Sequence, residues 1–295
     1  MSTAFRTGYI AVVGRPNVGK STLTNRLVGV KVSITSKKPQ TTRHRIHGIL
    51  TNAKSQLIFV DTPGFQTEHK NALNRAMNRN ITGALPDVDL ILLVIEAGRW
   101  GTADQAILPM LPEGVPVILI INKVDRLTDK SSLLPFIQKV AAERSFAEIV
   151  PLSAEKGQGT DQLVDIAGSY LPEQPAIYDA DEFTDRPERF HAAEILREKL
   201  FRNLGEELPY GIAVEIEKYE QEGDLRRIHA AVIVDRAAHK AIVIGKAGER
   251  LKRVSTDARK DMEKLFGGKV WLETWVKVKG GWADDERALK SLGYQ

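Results

Sequence analysis

The sequence has 295 residues, 42% of them hydrophobic and none of them cysteine, so it predicts about two globular domains without disulfides, zinc fingers or a thiol nucleophile. No apolar stretch approaches the roughly 20 residues of a membrane-spanning helix, and the N-terminus lacks a signal-peptide core, so we expect a cytoplasmic protein. The net charge of +4 is weakly basic, but residues 240–279 carry 11 basic and 5 acidic side chains. That local excess indicates a polyanionic partner.

Short apolar runs alternate with amphipathic stretches over residues 1–172. Runs of aliphatic and β-branched residues before longer helical segments predict βα units around a mostly parallel sheet, with helices on both faces. The predicted strands are YIAVV, QLIFV, DLILLVI, VPVILII and EIV, and the predicted helices cover 20–28, 70–83, 103–111, 131–142 and 160–170. This pattern is typical of an α/β domain.

The pattern changes after residues 173–187, a segment with prolines and many acidic residues that we interpret as a linker. Beyond it the sequence predicts an α+β domain over 188–280 and a C-terminal tail over 281–295. The predicted order is a helix, two strands, two helices and a last strand, at 188–204, 211–218, 227–235, 237–243, 249–266 and 269–279.

A phosphate-binding motif, G-x-x-x-x-G-K-[ST], lies between the first predicted strand and helix. Its glycines allow backbone N–H groups to converge on phosphate oxygens at the positive end of a helix. Lys20 is expected to reach the β- and γ-phosphates, and Ser21 to bind Mg²⁺. The alternative is a glycine-rich turn with no ligand. With its next neighbour the motif comprises Gly14, Arg15, Pro16, Asn17, Val18, Gly19, Lys20, Ser21 and Thr22.

A second motif, D-x-x-G, follows the strand QLIFV and comprises Asp61, Thr62, Pro63 and Gly64. A carboxylate at the end of this strand can hold Mg²⁺ through water, and the Gly64 N–H can meet the γ-phosphate. A pattern as short as D-x-x-G occurs often by chance. The evidence for its function is therefore its position, at the end of the strand where a Walker-B aspartate lies.

A third motif selects the base and comprises Asn122, Lys123, Val124 and Asp125. An ionised Asp125 can accept hydrogen bonds from N1–H and the 2-amino group of guanine, whereas adenine would leave this carboxylate unpaired. Lys123 is expected to lie along the base plane. After the strand EIV, a loop is expected to offer the Ala154 N–H to guanine O6, and it contains Ser153, Ala154 and Glu155. A solvated helix cap is the alternative.

In this order the motifs resemble the translation-factor-related GTPases. The resemblance implies bound GTP or GDP, Mg²⁺, and a threonine whose hydroxyl binds Mg²⁺ only while the γ-phosphate is present. Thr41 and Thr42 are both candidates, and we favour Thr42 because related GTPases place this threonine before an arginine, here Arg43; a merely basic loop is the alternative. Phe65 stands where small signalling GTPases carry a catalytic glutamine, so hydrolysis must use phosphate electrostatics, another group or a partner.

One such group is Asn17 in the phosphate loop, because related GTPases that lack the glutamine can use an asparagine there to hold a monovalent cation such as K⁺ beside the phosphates. The alternative is that Asn17 only braces the loop by hydrogen bonding.

A G-x-x-G loop between two predicted helices comprises Gly245, Lys246, Ala247 and Gly248. In KH domains such a loop lets the nucleic-acid backbone approach closely. The next helix is basic, and its candidate RNA contacts are Arg250, Lys252 and Arg253. A glycine-capped helical hairpin is the alternative. In the last strand Trp271 and Trp275 share one face with lysines, where they can stack bases, although packing over a neighbouring helix is favoured.

Together with the ending from Trp275 to Tyr294 and the loop 40–44, these motifs resemble the Era family of bacterial GTPases over nearly the whole chain. The resemblance implies a Ras-like P-loop GTPase domain followed by a type II KH domain. It also implies binding to the 3′ end of 16S ribosomal RNA during maturation of the small (30S) ribosomal subunit, peripheral association with the inner membrane, and no DNA target.

From the motifs and the resemblance we expect a GTP-hydrolysing switch that gates RNA binding. Two alternatives stay open: a constitutive RNA-binding chaperone with a structural nucleotide, and a membrane-recruited signalling GTPase.

Overall fold

The computed structural model of the chain describes residues 4–36, 38, 41–63, 85, 87–205 and 211–292. The predicted helix over 70–83 lies outside these residues. The chain divides into two compact units. Among the described residues, the first unit contains 4–33, 42–63, 85 and 87–185, and the second contains 34–36, 38, 41, 186–205 and 211–292.

The first unit is built on a six-stranded sheet in the order β2-β3-β1-β4-β5-β6. The central strands are buried along nearly their whole length, as expected for a parallel sheet that is covered on both faces. The strands are β1 (Arg6–Val13), β2 (Ile46–Thr51), β3 (Ser55–Asp61), β4 (Leu90–Glu96), β5 (Val117–Asn122) and β6 (Glu148–Pro151). The sequence pattern missed β2, which runs antiparallel to β3.

The described helices of the first unit are α1 (Lys20–Val28), α2 (Thr102–Gln105), α3 (Leu133–Ala141) and α4 (Thr160–Ser169). The single helix predicted over 103–111 is wrong, because it is divided into α2 and a 3₁₀ turn at Leu108–Met110. Pro109 lies in that turn and has no backbone N–H with which to continue an α-helix.

Most of the predicted linker is bound to the first unit, and we call residues 173–185 the strap. The backbone N–H of Ile49, in β2, donates to the Phe183 carbonyl at 3.0 Å. The Gln56 side chain accepts from the Tyr178 N–H at 3.0 Å and donates to the Tyr178 carbonyl at 2.8 Å. The strap therefore lies along the β2 side of the sheet as part of the first unit.

The second unit contains a three-stranded sheet in the order β7-β8-β9. Its strands are β7 (Ile212–Glu222), β8 (Leu225–Val234) and β9 (Lys269–Val278), and β8 pairs antiparallel with β7 and parallel with β9. Its described helices are α5 (Glu188–Asn203), α6 (Ala237–Ile244), α7 (Glu249–Phe266) and α8 (Glu286–Ser291). The predicted order of elements is present, which confirms the expected fold class.

The core of the second unit lies between its sheet and the helices α5 and α7. Val254, Ala258 and Met262 follow one another at four-residue spacing in α7 and are all fully buried, so one stripe of this otherwise charged helix faces the sheet. The predicted tail is also folded: Trp282 is fully buried and donates to the Gly211 carbonyl at 3.2 Å. No described helix has both the length and the apolar composition required to cross a bilayer.

Candidate nucleotide and RNA sites

The loop from β1 to α1 has two positions that exclude any residue but glycine. Gly14 has φ +152°, and a Cβ there would lie 2.3 Å from the Val94 carbonyl oxygen. Gly19, just before α1, has φ +104°, and a Cβ there would lie 2.3 Å from the Asn122 amide nitrogen. These clashes keep the loop compact at the N-terminus of α1, where the helix dipole favours an anion such as phosphate.

The Lys20 ammonium lies inside this loop. It donates to the carbonyls of Gly14 at 2.9 Å and Arg15 at 3.0 Å. Burial lowers the pKa of Lys20 to about 8, and the negative charge of Asp61 opposes part of that change. The phosphates of a nucleotide would supply further negative charge and so favour the protonated lysine. This arrangement fits the predicted role of Lys20 as a phosphate ligand.

Three oxygen-bearing side chains meet beside the phosphate loop. The hydroxyls of Ser21 and Thr42 lie 2.8 Å apart. Asp61 is fully buried, and within the described part of the chain neither of its carboxylate oxygens accepts a hydrogen bond of good geometry. Burial raises the pKa of Asp61, although the nearby hydroxyls of Ser33 and Ser21 and the Lys20 charge partly oppose the rise.

This donor set fits Mg²⁺. The ion prefers oxygen ligands and is commonly held by one carboxylate, hydroxyls, waters and substrate phosphates. An unsatisfied buried carboxylate is costly, and a divalent cation would remove that cost. The structure also separates the two candidate threonines: the Thr42 hydroxyl meets Ser21, whereas the Thr41 hydroxyl donates to the Lys38 carbonyl at 2.7 Å.

The remaining residues of the D-x-x-G motif have different positions. The Thr62 hydroxyl is buried and donates to the Val12 carbonyl at 2.9 Å, so this side chain fixes the end of β3 against β1. Pro63 is the last described residue of the motif. Gly64 and Phe65 lie outside the described residues, and their roles stay predictions.

Asn122 connects three of the predicted loops. Its amide donates to the Val18 carbonyl of the phosphate loop at 2.8 Å. Its side-chain oxygen accepts from the backbone N–H of Lys123 at 2.8 Å and of Ala154 at 3.0 Å. The predicted donor to guanine O6, the Ala154 N–H, therefore already has an acceptor, which the base would have to share or displace. The sequence motif did not indicate this bridge.

The Lys123 side chain crosses to the phosphate loop. Its ammonium donates to the Asn17 carbonyl and to the Glu96 carboxylate, each at 2.7 Å. Burial alone would raise the pKa of Glu96, but the hydrogen bond and charge of Lys123, with further nearby cations, bring it below its usual range. Glu96 thus fixes the Lys123 ammonium against the phosphate loop, and no sequence motif identified Glu96. Asp125 is exposed on a 3₁₀ turn, Val124–Arg126.

Arg26, in α1, is a second residue that the sequence analysis missed. Its guanidinium donates to the carbonyls of Ala154 at 3.1 Å and Glu155 at 2.7 Å. The Ser153 hydroxyl accepts from the Lys156 N–H at 3.1 Å, so Ser153 shapes this loop from within.

The G-x-x-G loop of the second unit presents an exposed cation. Gly245 has φ +74°, and a Cβ there would lie 2.7 Å from the Arg250 Cβ. Lys246 and Ala247 are exposed, and Ala247 has φ +50°. Gly248 has φ +78° and precedes α7. The loop therefore offers a close backbone approach beside the Lys246 ammonium, as RNA phosphates require.

A groove of about 360 Å³ follows this loop between α7 and β9. It combines an apolar floor, several hydroxyls and basic side chains, a combination suited to a nucleobase and its phosphates. Its lining residues are Gly248, Leu251, Lys252, Ser255, Thr256, Arg259, Leu272 and Thr274. Of the predicted RNA contacts on α7, Lys252 lines the groove, Arg250 donates to the Ile242 carbonyl, and Arg253 is exposed.

The two tryptophans of β9 were expected to pack over a neighbouring helix, and the structure shows other neighbours. Trp271 is 43% exposed, and its ring centroid lies 5.2 Å from that of His229 in β8. Trp275 approaches the same histidine at 6.1 Å. The prediction that both pack over a helix is therefore wrong for Trp271, whose neighbour is a ring on the adjacent strand.

Comparisons with known proteins agree with this architecture. Residues 9–123 match the family described as 50S ribosome-binding GTPase, and residues 207–283 match the KH domain family. The GTPase Era of Nitrosomonas eutropha is 58% identical over 294 residues, covering 100% of this chain and 99% of that protein. The GTPase Era of Chromobacterium violaceum is 56% identical, covering 99% of this chain and 98% of that protein.

Two solved structures resemble the whole chain. One is a point variant of Era from Aquifex aeolicus bound to GDP·AlF4⁻, with 40% identity, a TM-score of 0.95, and coverage of 98% of this chain and 99% of that chain. The other is Era in complex with MgGDPNP and nucleotides 1506–1542 of 16S ribosomal RNA, with 40% identity, a TM-score of 0.94 and the same coverage.

Proposed function

Because the chain belongs to the Era family of GTPases, we propose that it is a GTP-hydrolysing switch that binds the 3′ end of 16S ribosomal RNA and assists maturation of the small (30S) ribosomal subunit. The observation that carries this proposal is the Ser21–Thr42 hydroxyl pair beside the buried Asp61 carboxylate. A hydroxyl that binds Mg²⁺ only while the γ-phosphate is present distinguishes GTP from GDP.

Each predicted nucleotide residue has a distinct task in this proposal. Lys20 and the backbone N–H groups of the phosphate loop bind the phosphates, and Asp125 accepts from guanine while Lys123 lies along the base. Mg²⁺, when bound, neutralises charge on the β- and γ-phosphate oxygens. Ser21, Thr42 and Asp61 hold the ion.

The second unit supplies the RNA site. Lys246 meets a phosphate at the G-x-x-G loop, and the groove between α7 and β9 receives a base. A solved relative contains 16S ribosomal RNA, which makes that RNA the partner to test first. The protein acts in the cytoplasm, and contact with the inner membrane is peripheral.

Nucleotide-dependent RNA binding tests the proposed switch. An RNA oligonucleotide with the 3′-terminal sequence of 16S ribosomal RNA is titrated against the protein loaded with Mg·GDPNP, Mg·GDP or no nucleotide at one salt concentration. We expect the two loaded states to differ about tenfold or more in affinity, because a switch requires differential binding. A scrambled oligonucleotide is the control.

Each alternative function predicts another result. Equal, tight RNA binding in all states would identify a constitutive RNA-binding chaperone. Binding to anionic lipid vesicles without RNA, together with no RNA affinity in any state, would identify a membrane-recruited GTPase. Both results would refute the proposed switch.

Potassium is expected to accelerate hydrolysis relative to sodium at equal ionic strength. Asn17 is exposed in the phosphate loop with φ +64°, and its carbonyl accepts from Lys123. A cation beside it would stabilise charge that develops between the β- and γ-phosphates, and such a charge can be worth about 10³-fold in rate. Single-turnover hydrolysis in KCl and NaCl measures this difference.

The variant Asn17→Ala should abolish the potassium effect. Asn52→Ala, in the turn between β2 and β3, should retain it, because Asn52 accepts from the Ser55 N–H away from the phosphate loop. Equal rates in both salts for the unaltered protein would contradict the potassium hypothesis and leave a partner or the RNA as the activator.

A further inference from the structure

The Glu96 carboxylate at the end of β4 lies among three cations of the first unit. Its Oε2 accepts from the Lys123 ammonium at 2.7 Å and lies 3.8 Å from the Arg15 guanidinium. Its Oε1 lies 3.4 Å from the guanidinium of Arg99. Glu96 is paired in register with Asn122 of β5, so the sheet itself brings this carboxylate to the residue that follows, Lys123. Because Lys123 belongs to the motif 122–125 and Arg15 to the phosphate loop, one carboxylate contacts both motifs.

A second carboxylate, that of Asp104 in α2, also holds Arg15. The Arg15 Nε donates to Asp104 Oδ1 at 3.1 Å, and the other oxygen of this buried carboxylate accepts from the Gly101 N–H at 3.2 Å. The Arg15 carbonyl accepts in turn from the Lys20 ammonium. A guanidinium that is held by carboxylates with contacts of their own has little freedom. The phosphate loop is therefore anchored through a side chain as well as through its glycines.

The contact between Lys123 and the phosphate loop joins two strained positions. Among the described residues, three that are not glycine have a positive φ, and two of them are Lys123, at +66°, and Asn17, at +64°. The Lys123 ammonium donates to the Asn17 carbonyl at 2.7 Å. Left-handed backbone is unfavourable for a lysine, and such conformations persist where the surrounding structure holds them, most often at functional sites. Glu96 makes the other strong contact of this ammonium, so it helps to hold the pair.

Fold stability alone is a poor explanation for the ion pair of Glu96 and Lys123. Their side chains are 14% and 17% exposed, so both ions are largely removed from water. The cost of that removal is large enough that apolar side chains of similar volume commonly stabilise a fold equally well. An apolar residue at position 96, however, could not direct the Lys123 ammonium to the Asn17 carbonyl. The placement of Lys123 is the property that a hydrophobic replacement would lose.

We infer that Glu96 is a positioning residue for guanine-nucleotide binding, and that it sets affinity without setting the choice of base. The inference rests on the proposed function, in which Lys123 lies along the plane of the base and Asp125 selects guanine. Glu96 acts through Lys123 and does not touch the nucleotide. A side chain along the base plane meets guanine and xanthine alike, whereas Asp125 meets the edge at which the two bases differ. Loss of the Glu96 charge should therefore weaken the binding of both nucleotides by the same factor.

The variant Glu96→Gln tests this inference with the full chain. Glutamine keeps the volume and one oxygen acceptor but loses the charge that strengthens the hydrogen bond from Lys123. We expect the release of a fluorescent GDP analogue, measured by stopped flow, to become about tenfold faster, and the affinity for GDP and GTP to fall by a similar factor. The ratio of GTP to XTP affinity in a competition titration should stay within about twofold of the parent's ratio.

A double-mutant cycle with Lys123→Met separates positioning from a merely structural role. If Glu96 acts through Lys123, Glu96→Gln should change GDP affinity by less than about twofold when Lys123→Met is already present. A structural role would give the same loss in both backgrounds. If Glu96→Gln does not fold, Glu96→Asp, which keeps the charge but withdraws it from Lys123 by one methylene group, replaces it in every measurement.

Glu173→Gln is the matched control. Glu173 pairs with Arg6 at 2.9 Å in the same unit. Arg6 is the first residue of β1, whereas the phosphate loop follows the last, so the same substitution removes an ion pair at the opposite end of that strand. This control should release GDP at the rate of the parent.

The outcomes separate this inference from the proposed function. Parent-like release in Glu96→Gln, equal losses in both backgrounds of the cycle, or a changed ratio of GTP to XTP affinity would each overturn the positioning role. None of these results touches the proposed function, which concerns GTP hydrolysis and RNA binding by the unaltered protein. If the unaltered protein does not bind or hydrolyse GTP, the proposed function itself fails.

Discussion

Replacing Asp125 with asparagine is expected to convert the protein from a binder of guanine nucleotides into a binder of xanthine nucleotides. In the proposed function the carboxylate accepts from N1–H and the 2-amino group of guanine. An amide instead presents one acceptor and one donor, which match the N1–H and the 2-oxo group of xanthine. Because mismatched polar groups in a site cost several orders of magnitude, GTP affinity should fall about 10²- to 10⁴-fold.

A competition titration with GTP, XTP and a fluorescent GDP analogue measures the change in selectivity. Asp129→Asn is the matched control: Asp129 lies four residues further along and accepts from the Ser131 N–H at 2.8 Å, an acceptor role that an asparagine oxygen can also fill. The control should retain guanine selectivity. Unchanged selectivity in Asp125→Asn would show that another group reads the base.

The double variant Lys246→Asp with Ala247→Asp should weaken RNA binding about 100-fold at low salt. Two carboxylates would replace an exposed ammonium and a methyl group, at the place where we propose that the loop meets an RNA phosphate. Ala247 has φ +50°, a conformation that aspartate adopts more readily than most residues, so the loop should keep its shape. Affinity for GDP should not change, since the nucleotide motifs belong to the other unit.

Filter binding or fluorescence anisotropy over a series of salt concentrations measures this loss, because the salt slope reports phosphate contacts. Lys139→Asp with Ala141→Asp changes the net charge equally on exposed positions of α3. This control should bind RNA nearly as the parent does. Equal affinities of the Lys246 double variant and the parent would disprove the role of the G-x-x-G loop.

The sequence predicted those parts of the site that depend on short, ordered motifs. The phosphate loop is recognisable because close backbone packing admits only glycine at Gly14 and Gly19. Likewise, the motif proposed to select the base begins at Asn122, the last residue of β5, and the long apolar run of that strand is easily recognised in the sequence. In both motifs, the contacts expected with the nucleotide and the conformation of the local backbone limit which amino acids can occupy the same few positions.

The missed features depend on contacts between distant segments. Glu96 ends β4 without a motif, and only the sheet order brings it to Lys123. The sequence placed Asn122 only in the motif 122–125, but its side chain also forms hydrogen bonds with the phosphate loop and with the loop that contains Ala154. The sequence pattern did not predict β2, because its sequence IHGILT is short and contains a glycine. A Cβ at this glycine, Gly48, would lie 2.9 Å from a Val28 methyl group.

The loop near Thr42 illustrates a further limit. Its residues read as one basic stretch, but the structure divides it between the two units after Thr41. Nothing local in the sequence indicates this division. The Thr41 carbonyl accepts from Arg197 and the Lys38 ammonium donates to the Phe201 carbonyl, and both contacts span more than 150 residues. Motif spacing therefore indicated candidate ligands of the site, but it did not indicate the distant contacts that hold the loops carrying them.

The strap has a consequence for self-association. β2 is the outermost strand of its sheet, and an outermost strand offers unpaired backbone groups to any other strand it meets. The Phe183 carbonyl occupies one such group, the Ile49 N–H, and the rest of the strap adds a proline and several carboxylates that resist pairing with a second molecule. A GTP-binding fragment that ends at residue 172 would lose this protection and aggregate through β2, whereas one that ends at residue 185 would keep it.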